Sequence, residues 1–467
     1  MGKKRYLFFI IIVWIVLVIP LTGMIWCPAE TSDEKKDLAQ WPEINTSNWW
    51  DLGNLKNMSS YFEDRFYFRQ EMITANAYIR SGLLRSESND QVIAGKDGWM
   101  YFSGDLDDFQ GSNLFSDREL YTIKHNLILM KNYIEQQGSQ MILTIAPNKA
   151  TLYGENMPYY YIQSEESNLQ KLSQLAEEAG VIYVDLQMLF QEHDEILYFK
   201  KDSHWNTKGA VLVYNALMDA MGLEHETYEN VSYTEGNTRI GDLEEMLYPA
   251  AIKKEYDISY DENFTYTNIG DFVDNMDSWI ETVNPEKSTK ILMYRDSFGE
   301  NLIPFIAQEI GNGYFSRRIP YNLPQVAQYQ PDYVIIERVE RKIEALAAEI
   351  PVMEGPVTKN INTDEIETKT TIETNVNGAY FVINGKVDEA YINTDTEIYI
   401  DVKNTETGDS ITYKPFYTLI ESGNGNGYQL YLNSASLPEA DYQISVIIVN
   451  QEQAYTAAVK SFSQGVT

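Results

Sequence analysis

Two short stretches of this chain carry residue types that could move a proton and form a covalent bond. Residues 198–210 read YFKKDSHWNTKGA, and residues 290–311 read KILMYRDSFGENLIPFIAQEIG. The first holds His204, one of only four histidines in 467 residues, with Asp202 two positions before it. At that spacing a carboxylate can reach a ring nitrogen, fix the tautomer and stabilise the imidazolium formed during turnover. The second holds Ser297 between an apolar run and a helical pattern. A serine at a tight strand-to-helix turn exposes its hydroxyl beside backbone N–H groups that favour negative charge. Serine is a weak nucleophile without a base. Of His125, His193, His204 and His225, only His204 lies in a loop leading into a helix, which begins near Thr207. His125 is mid-helix, His193 sits in the charged turn QEHDEI, and His225 opens an irregular stretch. Ser297, His204 and Asp202 would together make the nucleophile, base and orienting acid of acyl transfer.

Each of these residues also has a plainer role open to it. Serine is a preferred helix N-cap, worth about 1 kcal/mol, and a strand-Asp-Ser-helix sequence occurs for that reason alone. Asp202 and His204 could be a capping and core cluster under Trp205. A third arrangement gathers Asp202, His204, His193 and Asp194 around a metal ion, but their spacing matches no known ligand set. The expectation is therefore no metal and no cofactor.

Regular elements must bring these segments together. Residues 117–138 place Leu120, Ile123, Leu127, Met130 and Ile134 on one helical face, ending at Gly138. QMILTIAP, VIYVDL, KILMY and DYVIIE read as buried strands, and NLQKLSQLAEEAG and GAVLVYNALMDAMG as helices. Strands alternating with helices predict an α/β fold with a parallel sheet covered on both faces. Reactive groups in such folds collect beyond the carboxyl ends of the strands. Ser297 would stand there, with Asn148 and Lys149, which follow QMILTIAP, as neighbours. Residues 225–287 lose periodicity and read as an excursion off the sheet, able to form a wall or lid. Beyond Arg341 there is no Arg, His, Trp or Cys. Residues 351–372 read as a linker, and 373–467 as short β-runs at the spacing of a small sandwich, structural or sugar-binding.

The N-terminus sets the compartment. MGKKR precedes an uncharged run over residues 6–27, long enough to cross a bilayer as a helix. Its basic flank places the start on the cytoplasmic side. The run is long and lacks a small-x-small cleavage site, which favours an uncleaved anchor over a cleaved signal. Trp26 before Cys27 is too bulky for a typical lipid-attachment motif. Residues 28–58 form a stalk and first docking segment, because Trp41, Trp49 and Trp50 suit no free linker. Residues 59–350 would be the catalytic unit, outside the cytoplasm. With 69 acidic against 36 basic residues and a net charge of −33, the chain is not a nucleic-acid binder. Its single cysteine excludes an internal disulfide.

KDSHWNTKGA followed downstream by YRDSFG resembles the Asp-x-His-Trp and (Gly/Arg)-Asp-Ser-Phe pair of the alginate O-acetylation proteins and the bacterial DHHW family. These belong to the SGNH/GDSL-like esterase and acyltransferase superfamily. The blocks YFEDRFYFRQEM, GKDGWMYF, APNKATLY and GDLEEML occur in the matching order, so the resemblance spans about residues 55–345. It implies an SGNH-like sheet, with Ser297 as nucleophile, His204 as base and Asp202 as orienting acid. It further implies O-acetyl transfer to a surface or cell-wall polysaccharide, with the acyl group supplied by a multi-span membrane-bound O-acyltransferase. A carbohydrate acetyl esterase and a non-catalytic polysaccharide-binding protein are the alternatives. Two positions depart from the pattern: Ser203 stands where the family name has His, and Arg295 replaces the Gly of Gly-Asp-Ser. The separate Gly and Asn blocks that supply oxyanion donors in ordinary SGNH enzymes are not found. The Ser297 N–H is the first candidate donor, and Asn148, Lys149 and Arg295 are the further oxyanion or substrate-binding candidates.

Overall fold

The computed structural model describes residues 2–26, 38–46, 48–80, 90–419, 425–451 and 453–464. Cys27, and with it the question of lipid attachment, lies outside the described residues. Helix α1 (Gly2–Trp26) contains the span Tyr6–Met24, with a mean hydropathy of 2.8 and none of it packed inside the protein. By length and composition it can cross a membrane.

The centre is a seven-stranded sheet. Its strands are β1 (Gln140–Ala146), β2 (Ile182–Val184), β3 (Thr267–Ile269), β4 (Trp279–Val283), β5 (Lys290–Tyr294), β6 (Asn312–Ser316) and β7 (Tyr333–Val339). Their spatial order is β2-β1-β7-β5-β6-β4-β3. The first five in that order are parallel, and β4 and β3 extend the edge antiparallel. Strands buried on both faces read as near-continuous apolar runs; ILMY of β5 and VII of β7 do so. Helices α2 (Asp117–Gln136) and α3 (Asn168–Glu178) pack on one face through Ile123, Leu127, Met130, Leu172 and Leu175. Helices α4 (Thr207–Ala220) and α5 (Ile303–Glu309) cover the other. The fold is therefore the SGNH-like α/β arrangement expected.

Two features of this part of the chain differ from the sequence-based expectation. Strand β6 was not anticipated, because NGYFS is short and carries polar residues at both ends. The stretch 225–287 is not wholly off the sheet, since it contributes β3 and β4. The rest of it forms a hairpin, Tyr233–Arg239 with Glu255–Tyr260, and a helix, Asp242–Leu247.

The C-terminal region is a two-sheet sandwich, one sheet of six strands and one of four. The segment 351–372, expected as a linker, contributes Val357–Thr358 and Asp364–Glu365 to the six-stranded sheet. The sandwich is fused to α2. Val382, Phe416 and Tyr431 belong to the same apolar cluster as Ile123 and Leu127. Arg118, buried, donates from Nε to the Gly425 carbonyl at 2.9 Å and from Nη1 to the Thr396 carbonyl at 2.6 Å. His125 stacks on Tyr417 with ring centroids 3.6 Å apart, and burial pushes its pKa down to about 3, so the ring is neutral. Asn126 donates to the Tyr417 and Leu346 carbonyls at 2.8 and 3.2 Å and accepts from the Tyr417 N–H at 3.0 Å. A buried backbone group left without a partner costs about 1–3 kcal/mol. The near-isosteric Asn126→Leu should therefore lower stability by roughly that amount in urea unfolding; an unchanged midpoint would show that this junction does not hold the two sheets together.

Candidate active site

Ser297 lies just beyond β5, at the carboxyl edge of the sheet. Its neighbour Asp296 fixes the turn. The Asp296 N–H donates to Glu337 Oε2 on β7 at 2.9 Å. Asp296 Oδ1 accepts from the Phe298 N–H at 2.8 Å, and Oδ2 accepts from the Val339 N–H at 2.7 Å. The aspartate thus caps the short helix Phe298–Asn301 and ties it to β7. The Ser297 side chain makes no capping bond, so the N-cap role does not explain it. Burial, and then the adjacent Asp296 charge, push the Glu337 carboxyl well above its usual range.

The Ser297 hydroxyl instead meets His204, with Oγ and Nε2 2.8 Å apart. The other ring nitrogen, Nδ1, lies 2.7 Å from Asp202 Oδ1, which also accepts the His204 backbone N–H at 3.0 Å. The structure therefore brings Ser297, His204 and Asp202 into one hydrogen-bonded line. The two segments are clamped by the aromatic residue that follows each reactive one. Trp205 and Phe298 are both fully buried and meet edge to face at 4.9 Å, and Phe298 also lies 4.6 Å from the His204 ring. Burying a ring such as Phe298 contributes roughly 1.5–3 kcal/mol, with about 0.5–1.5 kcal/mol more for an aromatic pair in this geometry. The His204 side chain keeps 12 % exposure while Asp202 is sealed, and Ser297 is half-buried. The reactive end of the line faces solvent, and its charged end does not.

Asp202 is the hub of a wider network that sequence reasoning missed. Arg239 donates from Nε and Nη2 to Asp202 Oδ2 at 2.9 and 2.6 Å. Asp242 accepts from the Ser203 N–H at 2.8 Å and from the Ser203 hydroxyl at 2.6 Å, and its Oδ2 lies 3.8 Å from His204 Nδ1. Ser203 is thus a tether to the helix Asp242–Leu247, a role the departure from the family pattern did not suggest. Arg239 and Asp242 sit in and beside the block GDLEEML. The one available signal was Gly241, where any Cβ would overlap the Lys201 carbonyl; only a bare backbone lets this stretch approach the Asp202 loop. From the same excursion, Glu255 accepts the Lys200 and Lys201 N–H groups at 2.9 and 3.1 Å, and burial pushes its pKa up to about 7. The excursion forms a wall fastened to the His204 loop.

The electrostatics follow from this packing. For Asp202, burial opposes ionisation, but the His204 ring and the Arg239 guanidinium outweigh it and hold its pKa far below the usual carboxylate range. For His204, burial opposes the charged ring. The Asp202 carboxylate, with Asp242 and Glu300 further off, outweighs that burial and raises the pKa above its ordinary 6.5.

Three candidates are corrected. Lys149 is buried and donates to the carbonyls of Phe199, Lys200 and Asp202 at 3.1, 3.0 and 2.7 Å. An ammonium has three protons, so none remains for an oxyanion; Lys149 is an internal staple of the His204 loop, and burial lowers its pKa to about 8. Asn148, also sealed, donates to Asp108 Oδ2 at 2.8 Å. Arg295 is buried and donates to the carbonyls of Asn275, Asp277 and Asp296 at 2.6, 3.0 and 3.1 Å. All three stand at the expected sheet edge, but their side chains turn inward, where buried carbonyls and a carboxylate need donors. His193 and Asp194 do not join Asp202 and His204. Among the described residues, the one His/carboxylate cluster with metal-like spacing is Asp202, His204 and Asp242. In it, Arg239 donates to Asp202 Oδ2 and Ser203 to both Asp242 oxygens.

Residues 92–290 match the family described as ALGX, the SGNH hydrolase-like domain of the acetyltransferase AlgX. Asp202, His204, Arg239 and Asp242 lie inside that span, and Ser297 lies seven residues beyond it. "Probable alginate O-acetylase AlgJ" of Pseudomonas putida is 25% identical over 141 residues, 30% of this chain and 36% of that protein. The protein of the same name from Pseudomonas syringae pv. tomato is 27% identical over 158 residues, 33% of this chain and 39% of its own. The chain thus matches little more than a third of the length of these relatives. Among solved structures, PatB1 of Bacillus cereus aligns with a TM-score of 0.45 at 16% identity, over 55% of this chain and 97% of that one. A DHHW family protein from Eubacterium siraeum aligns at 0.42 and 16% identity, over 53% and 89%. The chain is accordingly similar, over residues 92–290, to the SGNH hydrolase-like domain of AlgX, and its resemblance to the alginate O-acetylation proteins stands.

Proposed function

We propose that this protein is a membrane-anchored, extracytoplasmic O-acetyltransferase acting on a surface or cell-wall polysaccharide, with residues 59–350 as its catalytic unit. The observation that carries this proposal is the line Ser297 Oγ, His204 Nε2, His204 Nδ1, Asp202 Oδ1, with contacts of 2.8 and 2.7 Å. Ser297 attacks the carbonyl of an acyl ester while His204 takes its proton. Charge developing on the carbonyl oxygen meets the Ser297 N–H at the start of the short helix. The donor alcohol departs with the proton from His204, leaving an acyl-serine. A sugar hydroxyl then gives its proton to His204 and attacks the acyl-serine, and Ser297 is regenerated. Asp202 holds the tautomer with Nδ1–H and stabilises the imidazolium.

The likeness to acetyltransferases of the alginate type favours acetyl as the group, a polysaccharide as acceptor and a multi-span membrane-bound O-acyltransferase as source. Helix α1 supplies the anchor, with its basic flank inside. Transfer to water at the same site would make the protein a carbohydrate acetyl esterase, the difference being whether water is excluded from the acyl-serine. Incubation with a generic acetyl ester, with and without an oligosaccharide, separates the two by mass: acetylated oligosaccharide is expected, and free acetate alone would point to the esterase.

Two substitutions test the site itself. Ser297→Ala should remove activity by several orders of magnitude and abolish labelling by a serine-directed probe. It should leave the melting temperature unchanged, because the hydroxyl caps no helix; retained activity would dismiss the acyl-serine. Arg239→Gln tests the network behind the histidine. The base must be neutral, so kcat/KM rises with pH through the His204 pKa, which already lies above 6.5. Removing the guanidinium leaves more of the Asp202 charge facing the ring, which holds its proton more tightly. The ascending limb should therefore move to higher pH. A purely structural Arg239 would lower the rate equally at every pH.

A further inference from the structure

We propose that residues 41–46 and 48–79 form a platform that lies in the lipid interface of the membrane and fixes the height of the Ser297–His204 site above it. This rests on the reading of α1 as a membrane span. Trp49 and Trp50 are 68 % and 62 % exposed, and Leu52 and Leu55, which share one face of the helix Leu52–Arg65, are 77 % and 63 % exposed. The next helix, Arg69–Tyr78, has a packed side and an exposed side. Thr74 and Ala77 face the protein and are buried, while Phe68, Met72 and Ile79, on the opposite side at helical spacing, are exposed. So many large apolar side chains exposed on one short segment mark an interaction site. Exposed tryptophan in a turn leading into exposed leucines is the composition of segments that lie at the membrane interface.

The occupant is identified by continuity with the span. The Tyr67 N–H donates to the Pro20 carbonyl at 3.1 Å, and the Tyr67 ring packs so closely on Gly23 that a Cβ there would overlap it. Both contacts fall in the last turns of the apolar window Tyr6–Met24. A segment touching the helix at that level cannot stand clear of the bilayer, and its exposed rings meet lipid rather than water.

On its other side the platform grips the catalytic wall. Ala77 shares a core with Leu243 and Leu247. The Ala250 N–H donates to Thr74 Oγ1 at 3.0 Å, and Tyr78 stacks on Tyr248 with centroids 4.6 Å apart. The helix held there, Asp242–Leu247, begins with the Asp242 that tethers Ser203. Two helix-packing distances, roughly 20 Å, therefore separate the platform from the His204 loop. That places the site within reach of an acyl donor delivered at the membrane surface.

The full chain in vesicles of phosphatidylethanolamine and phosphatidylglycerol, doped with phosphatidylcholine brominated on its acyl chains, provides the test. Brominated lipid should quench a smaller part of the tryptophan fluorescence in W49Y/W50Y than in wild type; an equal quenched part in both would overturn the platform. A photo-crosslinker at position 55 in native membranes should join to lipid; joining to a second protein would overturn lipid as the occupant. L52E/L55E should weaken that quenching and leave hydrolysis of a soluble acetyl ester unchanged. Alkaline carbonate washing separates the two levels: retention of wild type without a W49Y/W50Y difference sinks the platform alone, whereas extraction of wild type sinks the anchor and the platform with it.

Discussion

The contact between Trp205 and Phe298 is the constraint on which the site depends. These rings belong to segments 93 residues apart, each directly after a residue that must meet its counterpart. Edge-to-face packing inside a sealed core allows little variation in separation or angle. With the rings seated, His204 and Ser297 have few places to go except toward each other. The chemistry is thus positioned by hydrophobic burial, and the hydrogen bond between Oγ and Nε2 completes an arrangement that packing has imposed.

A second layer handles charge. An ionised carboxylate sealed from water is costly unless it is paired and hydrogen-bonded. Asp202 meets that condition through the imidazole, the guanidinium of Arg239 and a backbone N–H. Around it, burial works against the charged form of other groups: it raises Glu255 and Glu337 and lowers Lys149. The one strongly stabilised negative charge in the site is the one that faces the histidine.

Much of the framework was legible because its signals are local. Apolar runs marked β1, β5 and β7, helical spacing marked α2 and α4, and the letters DSHW and RDSF marked the residues that converge. Arg239 and Asp242 were not legible as partners, since they lie in a stretch with neither period and act through tertiary contacts alone. Asn148, Lys149 and Arg295 illustrate the complementary limit. Position at the sheet's carboxyl edge can be read from the strand pattern, but the direction of a side chain there depends on which buried carbonyls lack donors, and those belong to distant loops. The short polar ends of β6 hid a strand that only the neighbouring β5 and β4 make regular.

The junction between α2 and the sandwich has a mechanical consequence. Arg118, Asn126 and the shared apolar cluster leave no lubricated joint between the two sheets. The C-terminal sheets therefore behave as a fixed jig, with their surface at a constant offset and bearing from the Ser297 edge.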